Sequence, residues 1–260
     1  MRDLIIAVPL WVILAALLVF FSGVIFAARR LILRRCGVDT CEELADQAKN
    51  LLTGLAATFA FFVGFAITVT WGAVATGQAA VEQQAASIQQ MAWRLNNIPD
   101  KGESTALMDK LRTYATTAAT ADDPFLIRGD TTNLPSAIPL DRFEDALHIY
   151  AFGPGAAPQE VNSLVTGAAT VGTNAATVAA VAKRTLPGVL AILLVVSGVL
   201  VALVMGIMTA TSSRPILMYV WALVPALSIT VVIALAFPFA HRIGVNLAPL
   251  QAVAENLAPR

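Results

Sequence analysis

Charge is what this sequence has least of. Asp, Glu, Lys and Arg together supply 13% of its 260 residues, about half of what a soluble globular chain carries. The charges present cancel, 17 basic against 17 acidic, and no basic stripe with interleaved aromatics stands out, so nucleic acid is not an expected partner. Histidines and cysteines number two each. His148 and His241 stand alone, with no zinc-protease pairing, nucleophile elbow or phosphate-binding Gly-Lys loop. Cys36 and Cys41 are two thiols where a structural zinc site uses four ligands. These absences leave no catalytic constellation, so no enzyme activity, metal or cofactor is expected.

Long uncharged runs are what the chain has instead, within a composition that is 57% hydrophobic. A bilayer core about 30 Å thick needs roughly 20 mostly apolar residues, and four stretches reach that length: Leu4 to Ala28, Asn50 to Val81, Thr185 to Ser213 and Pro215 to Ala240. The first exceeds the apolar core of roughly 7 to 15 residues in a secretory signal, and its arginines follow the run, so a retained anchor is expected. The fold class read from this pattern is all-α, with four transmembrane helices and a helical extramembrane domain inserted between spans two and three. The expected divisions are 1–72 for spans one and two, 73–184 for the insert, 185–240 for spans three and four, and 241–260 for a short tail. Proton- and ion-coupled transporters keep ionisable groups inside the membrane. These spans hold no charged residue, which disfavours coupled transport.

Short loops keep their Lys and Arg on the cytoplasmic side. Arg29, Arg30, Arg34, Arg35 and Lys49 lie between spans one and two, and Arg214 between spans three and four. Charge bias therefore places both termini and residues 73–184 on the non-cytoplasmic side of a bacterial plasma (inner) membrane.

The insert shows no strand-like alternation. Val81, Ala85, Ile88, Ala92 and Leu95 carry the second span on as one helix to Asn97, where Pro99 stops it. Ser104 reads as the N-cap of a helix to about Thr120. Pro124 to Pro158 reads as loop around a short helix bearing Phe143, Leu147 and Tyr150, with the Gly153, Pro154, Gly155 cluster after it. From Pro158, Val161, Leu164, Ala168, Val171, Ala175 and Val178 recur at steps of three and four and lead straight into span three. That seam fits either an intramolecular bundle or an oligomer interface.

Span two concentrates aromatics, with Phe59, Phe61, Phe62 and Phe65 around Gly64. Such side chains pack a core or face lipid in most proteins, and on a pore helix they form a dewetting gate. The run Phe61-Phe62-Val63-Gly64-Phe65-Ala66-Ile67-Thr68 resembles the second-helix signature of bestrophins. The wider chain resembles the bacterial bestrophin-like family through Gln78 to Trp93, through Leu111, Arg112 and Tyr114, and through Phe237, Pro238, Phe239, Gly244, Val245 and Leu250. Bestrophins are pentameric anion channels, so the resemblance implies a homo-oligomer, a pentamer, passing small anions through a membrane lipid environment. It puts Ala57, Phe61 and Phe65 on the pore neck, with Gly64 allowing close helix approach. Ala57 is smaller than the aliphatic residue of bestrophins, and the acidic positions after span two reduce to Glu82. The resemblance also implies a cytosolic insert, opposite to the charge bias. The alternatives to a passive anion pore are a non-conducting scaffold that holds a partner through the insert, and a triggered membrane-depolarising defence protein.

Overall fold

A computed structural model describes residues 8–35, 38–153, 158–210, 216–240 and 244–258. Every regular element among them is helical: α1 (Leu10–Arg35), α2 (Val38–Asn96), α3 (Lys101–Thr120), α4 (Asp123–Arg128), α5 (Ala137–Ala151), α6 (Pro158–Ala182), α7 (Gly188–Met208), α8 (Ile216–Ala236) and α9 (Ala248–Asn256). The chain forms two compact units, Met1–Trp71 with Thr185–Ala236, and Gly72–Arg184 with Phe237–Arg260. Leu4, Cys36, Pro154, Gly155, Arg214 and His241 lie outside the described residues, as does the side chain of Cys41.

In the first unit α1 packs against α7 and α8. Phe21, Ile25, Phe59, Val201, Ala222 and Ala226 share one core, and Ala66, Leu190, Leu194 and Val232 another. In lipid, helix association rests on close packing at small residues. Gly206 supplies it: a Cβ there would lie 2.6 Å from the Ile25 carbonyl oxygen and 2.7 Å from Ala28 Cβ. Outward the unit presents Trp11, Val19, Phe26, Val189, Ile192 and Val220, a surface suited to hydrocarbon. This is an integral membrane protein.

Four helices are long and apolar enough to span a bilayer by length and composition, Leu10–Arg35, Glu42–Asn96, Glu160–Ala182 and Gly188–Met208, while Val220–Ala236 is a shorter apolar stretch. We assign Glu160–Ala182 to the extramembrane unit, because one face of it is buried in that unit's core and polar groups of the same unit meet it as well. Asn174 Nδ2 donates to the Gln83 carbonyl at 3.2 Å, and a Glu144 carboxylate oxygen stands 2.8 Å from where a Gly172 Cβ would be. The spans are then α1, the first part of α2, α7 and α8. At 1.5 Å per residue, the 59 residues of α2 extend ~88 Å, about three times the hydrocarbon thickness.

The second unit is built on Val81, Ile88, Leu95, Leu107, Leu111, Tyr114, Phe143 and Val171, all fully buried. Four local expectations change here. Asp100, not Ser104, caps α3, its Oδ1 accepting from Gly102 N at 2.8 Å and Glu103 N at 3.2 Å. Extended backbone after Pro99 favours that position, and the buried Ser104 hydroxyl instead donates at 2.8 Å to the Leu95 carbonyl in the last turn of α2, which also accepts from Ile98 N at 3.1 Å. The stretch after Pro124 is less loop-like than expected: Pro124 lies in the first turn of α4, Gly129 closes that helix at φ 66°, and α5 runs for 15 residues. The seam helix α6 does not run straight into span three. Residues 183–187 interrupt it, because Pro187 lacks an N–H and holds the preceding residue out of the helical region. The expected tail contains α9, which packs against α3 and buries Leu250 and Val253.

Candidate functional site

Between Gly54 and Trp71, α2 has two unlike faces. Phe59, Ala66 and Thr70 are buried, in contact with the first unit's cores or bonded along the helix, Thr70 Oγ1 donating to the Ala66 carbonyl at 2.8 Å. The opposite face carries Gly54, Ala57, Thr58, Phe61, Gly64, Phe65 and Thr68, every one exposed. Steps of three and four keep these residues in one stripe. The structure thus brings Ala57, Phe61, Gly64 and Phe65 together on one face.

Phe61 and Phe65 are the bulk of that stripe, 69% and 53% exposed. The Phe61 ring meets Phe62 edge-on, centroids 5.9 Å apart and planes at 61°, so a partly buried neighbour supports its flank. The remaining members are small or hydroxylic. Thr58 and Thr68 return their hydroxyl protons to the Gly54 and Gly64 carbonyls, each at 2.9 Å. The face offers no fixed charge and no free strong donor, so it can confine an ion without binding it. A Cβ on Gly64 would meet nothing within 4 Å. Among the described residues, therefore, no helix makes the close approach that Gly64 would permit. Gly54 and Thr58 carry no signal of their own in the sequence, although the spacing that relates Phe61 to Phe65 reaches them.

Of the seam on α6, Leu164, Ala168, Val171 and Val178 are buried in the chain's own core with the half-buried Ala175 packed against it, and Val161 is half-buried. A polar network runs through the same unit. Gln84 Nε2 donates to Tyr114 Oη at 2.7 Å, and burial pushes the Tyr114 phenol well above its ordinary range. The buried Asp122 accepts from Ser136 N at 3.0 Å and from the Ser136 hydroxyl. Burial pushes its carboxyl up, while the two Ser136 bonds hold it down. Glu144 is also pushed up, by burial first and then by Asp141. His148 stacks on Phe152 at 5.6 Å. Among the described residues no cluster of three His, Cys, Asp or Glu could hold a metal.

Residues 15–250 match the bestrophin-like domain. No curated protein matches the sequence. Solved structures share the fold at low identity. A bacterial bestrophin homologue from Klebsiella pneumoniae, carrying one substitution, superposes with TM-score 0.68 at 10% identity, covering 92% of this chain and 97% of that one. Another structure of a Klebsiella pneumoniae bestrophin homologue gives TM-score 0.66 at 10% identity over 96% of this chain and 97% of that one.

Proposed function

This chain belongs to the bestrophin-like family, and on that premise we propose that it assembles into an oligomeric pore that passes small anions passively, with α2 lining the path and Phe61 and Phe65 forming its constriction. The observation that carries the reading is the two-faced α2: one side is fastened into its own subunit, and the other leaves small residues and two phenyl rings exposed. Apolar constrictions gate by dewetting, and cation-selective pores use rings of carboxylates. No acid occurs between Asp46 and Glu82, which favours anions. Five copies, as the resemblance implies, would enclose such a path. Purified protein in planar bilayers is expected to conduct chloride, with conductance altered by Phe61→Ala and Phe65→Ala. Confirmed oligomers that stay silent under these conditions would refute it.

A second reading, a scaffold that holds a partner through the insert, draws on the exposed Ile149 and Phe152, 77% and 74% accessible. Crosslinking in native membranes separates the two. Rings of identical chains favour the pore, and a foreign protein in fixed ratio favours the scaffold.

A further inference from the structure

The last two turns of α1 carry four arginines, Arg29, Arg30, Arg34 and Arg35. Five side chains on one helix face at i, i+3, i+4, i+7 and i+8, Phe26, Arg29, Arg30, Leu33 and Arg34, line a depression of about 250 Å³. Its composition is unusual for a membrane helix, since three cations alternate with two apolar groups. Among the described residues no carboxylate lies within 4 Å of Arg30, Arg34 or Arg35. Asp46, in the first turns of α2, is paired with Lys49 at 2.7 Å. Arg30 stacks its guanidinium over the Phe26 ring at 6.0 Å, and Phe26, Leu31 and Leu33 are each about half exposed. The close contact of Gly206 with the Ile25 carbonyl, the Ala28 Cβ and the Arg29 amide fixes the backbone that precedes this surface.

From this we propose that the end of α1 is a binding site for an anionic phospholipid, whose phosphate sits between Arg30 and Arg34 and whose acyl chains run along Phe26 and Leu33. Arginine suits a phosphate through its planar fork of donors. Basic clusters flanking a transmembrane helix attract anionic lipid over zwitterionic lipid. The exposed apolar side chains within the same groove select a lipid over a free anion, because a soluble phosphate gains nothing from covering Leu33. The site stands apart from the α2 stripe and holds whether or not the chain conducts.

Full-length protein, delipidated in a neutral detergent, is titrated with phosphatidylglycerol, phosphatidylcholine or inorganic phosphate, and retained lipid is counted by native mass spectrometry. Wild type is expected to retain phosphatidylglycerol about tenfold over phosphatidylcholine, and the preference should vanish in R30Q/R34Q but survive in R30K/R34K. Raising salt from about 0.05 M to about 0.5 M should weaken the preference in the wild type, a readout independent of variant folding. Equal retention of the two lipids, or a preference indifferent to both salt and R30Q/R34Q, overturns the site. Displacement of phosphatidylglycerol by equimolar inorganic phosphate would make it a free-anion site and overturn the lipid.

Discussion

Gly77 and Val245 meet so closely that the first has no room for a side chain: a Cβ would lie 2.6 Å from Val245 Cγ2 and 3.2 Å from Val181 Cγ1. Three helix-bearing segments, α2, the end of α6 and the stretch after α8, converge there. Gly77→Ala should therefore lower stability by about 1 to 3 kcal/mol through overpacking, despite its better helix propensity. Gly23→Ala, which meets nothing within 4 Å, should be neutral or gain up to about 1 kcal/mol. Thermal unfolding in detergent, followed by helical circular dichroism, compares the pair.

Tyr114 and Gln84 form a buried polar pair whose halves need each other. Tyr114→Phe leaves a buried amide short of a partner, at a cost of about 1 to 3 kcal/mol, whereas removing both polar groups can be nearly neutral. The double variant Gln84→Leu/Tyr114→Phe is expected to unfold at a higher temperature than Tyr114→Phe alone. A double variant that is less stable than the single would contradict this.

Much of the architecture was readable in the residues, and the exceptions share a cause. The span helices, the end of α2 before Pro99 and the face shared by Phe61 and Phe65 follow from local periodicity and a local stop. Ser104 misled because capping is decided by backbone entering the helix, which Asp100 has, while the Ser104 hydroxyl answers a carbonyl nine residues earlier. Gly77 and Gly206 look in sequence like weak helix formers. Their reason is close approach to Val245 and Ile25, partners that no window around either glycine contains. The end of α9 is held by Arg112 Nε on the Leu257 carbonyl, 145 residues away, although Leu250, Val253 and Leu257 already carry a helical rhythm.

Asp122 gives the insert a pH response. Burial raises its carboxyl pKa in the folded state, so the folded form holds its proton at pH values where the unfolded chain has released it. Stability supplied by the neutral acid is thus full below the ordinary carboxylate range and falls as pH rises through the raised value. Thermal midpoints between pH 3 and 7, values spanning about that window, should fall with rising pH. The slope should be smaller in Asp122→Asn, with a remainder from Glu144, which shifts the same way.

Val171 and Val178 are 0% and 4% exposed in the isolated chain. An aspartate at either is buried without a partner, a penalty of several kcal/mol. Loss of helix content together with assembly is the expected result. Loss of assembly from a chain that keeps its full melting transition would instead place α6 between subunits.

Orientation is settled by reporters at two positions. From charge bias, a fusion after Arg260 should report the non-cytoplasmic face and one at Gly37 the cytoplasm. The reverse pair places residues 73–184 in the cytosol.

Gln78 Oε1 accepts from Asn246 N across 168 residues of chain. At ribosomal speeds of about 5 to 20 residues per second, the second partner emerges roughly 8 to 34 s after the first. During that interval spans three and four are made, while the core around Leu107 and Leu111 lacks the contribution of Leu250 and Val253. The insert therefore finishes folding only after the membrane segments have been threaded, which makes nascent intermediates, more than the mature protein, the species exposed to proteases and chaperones.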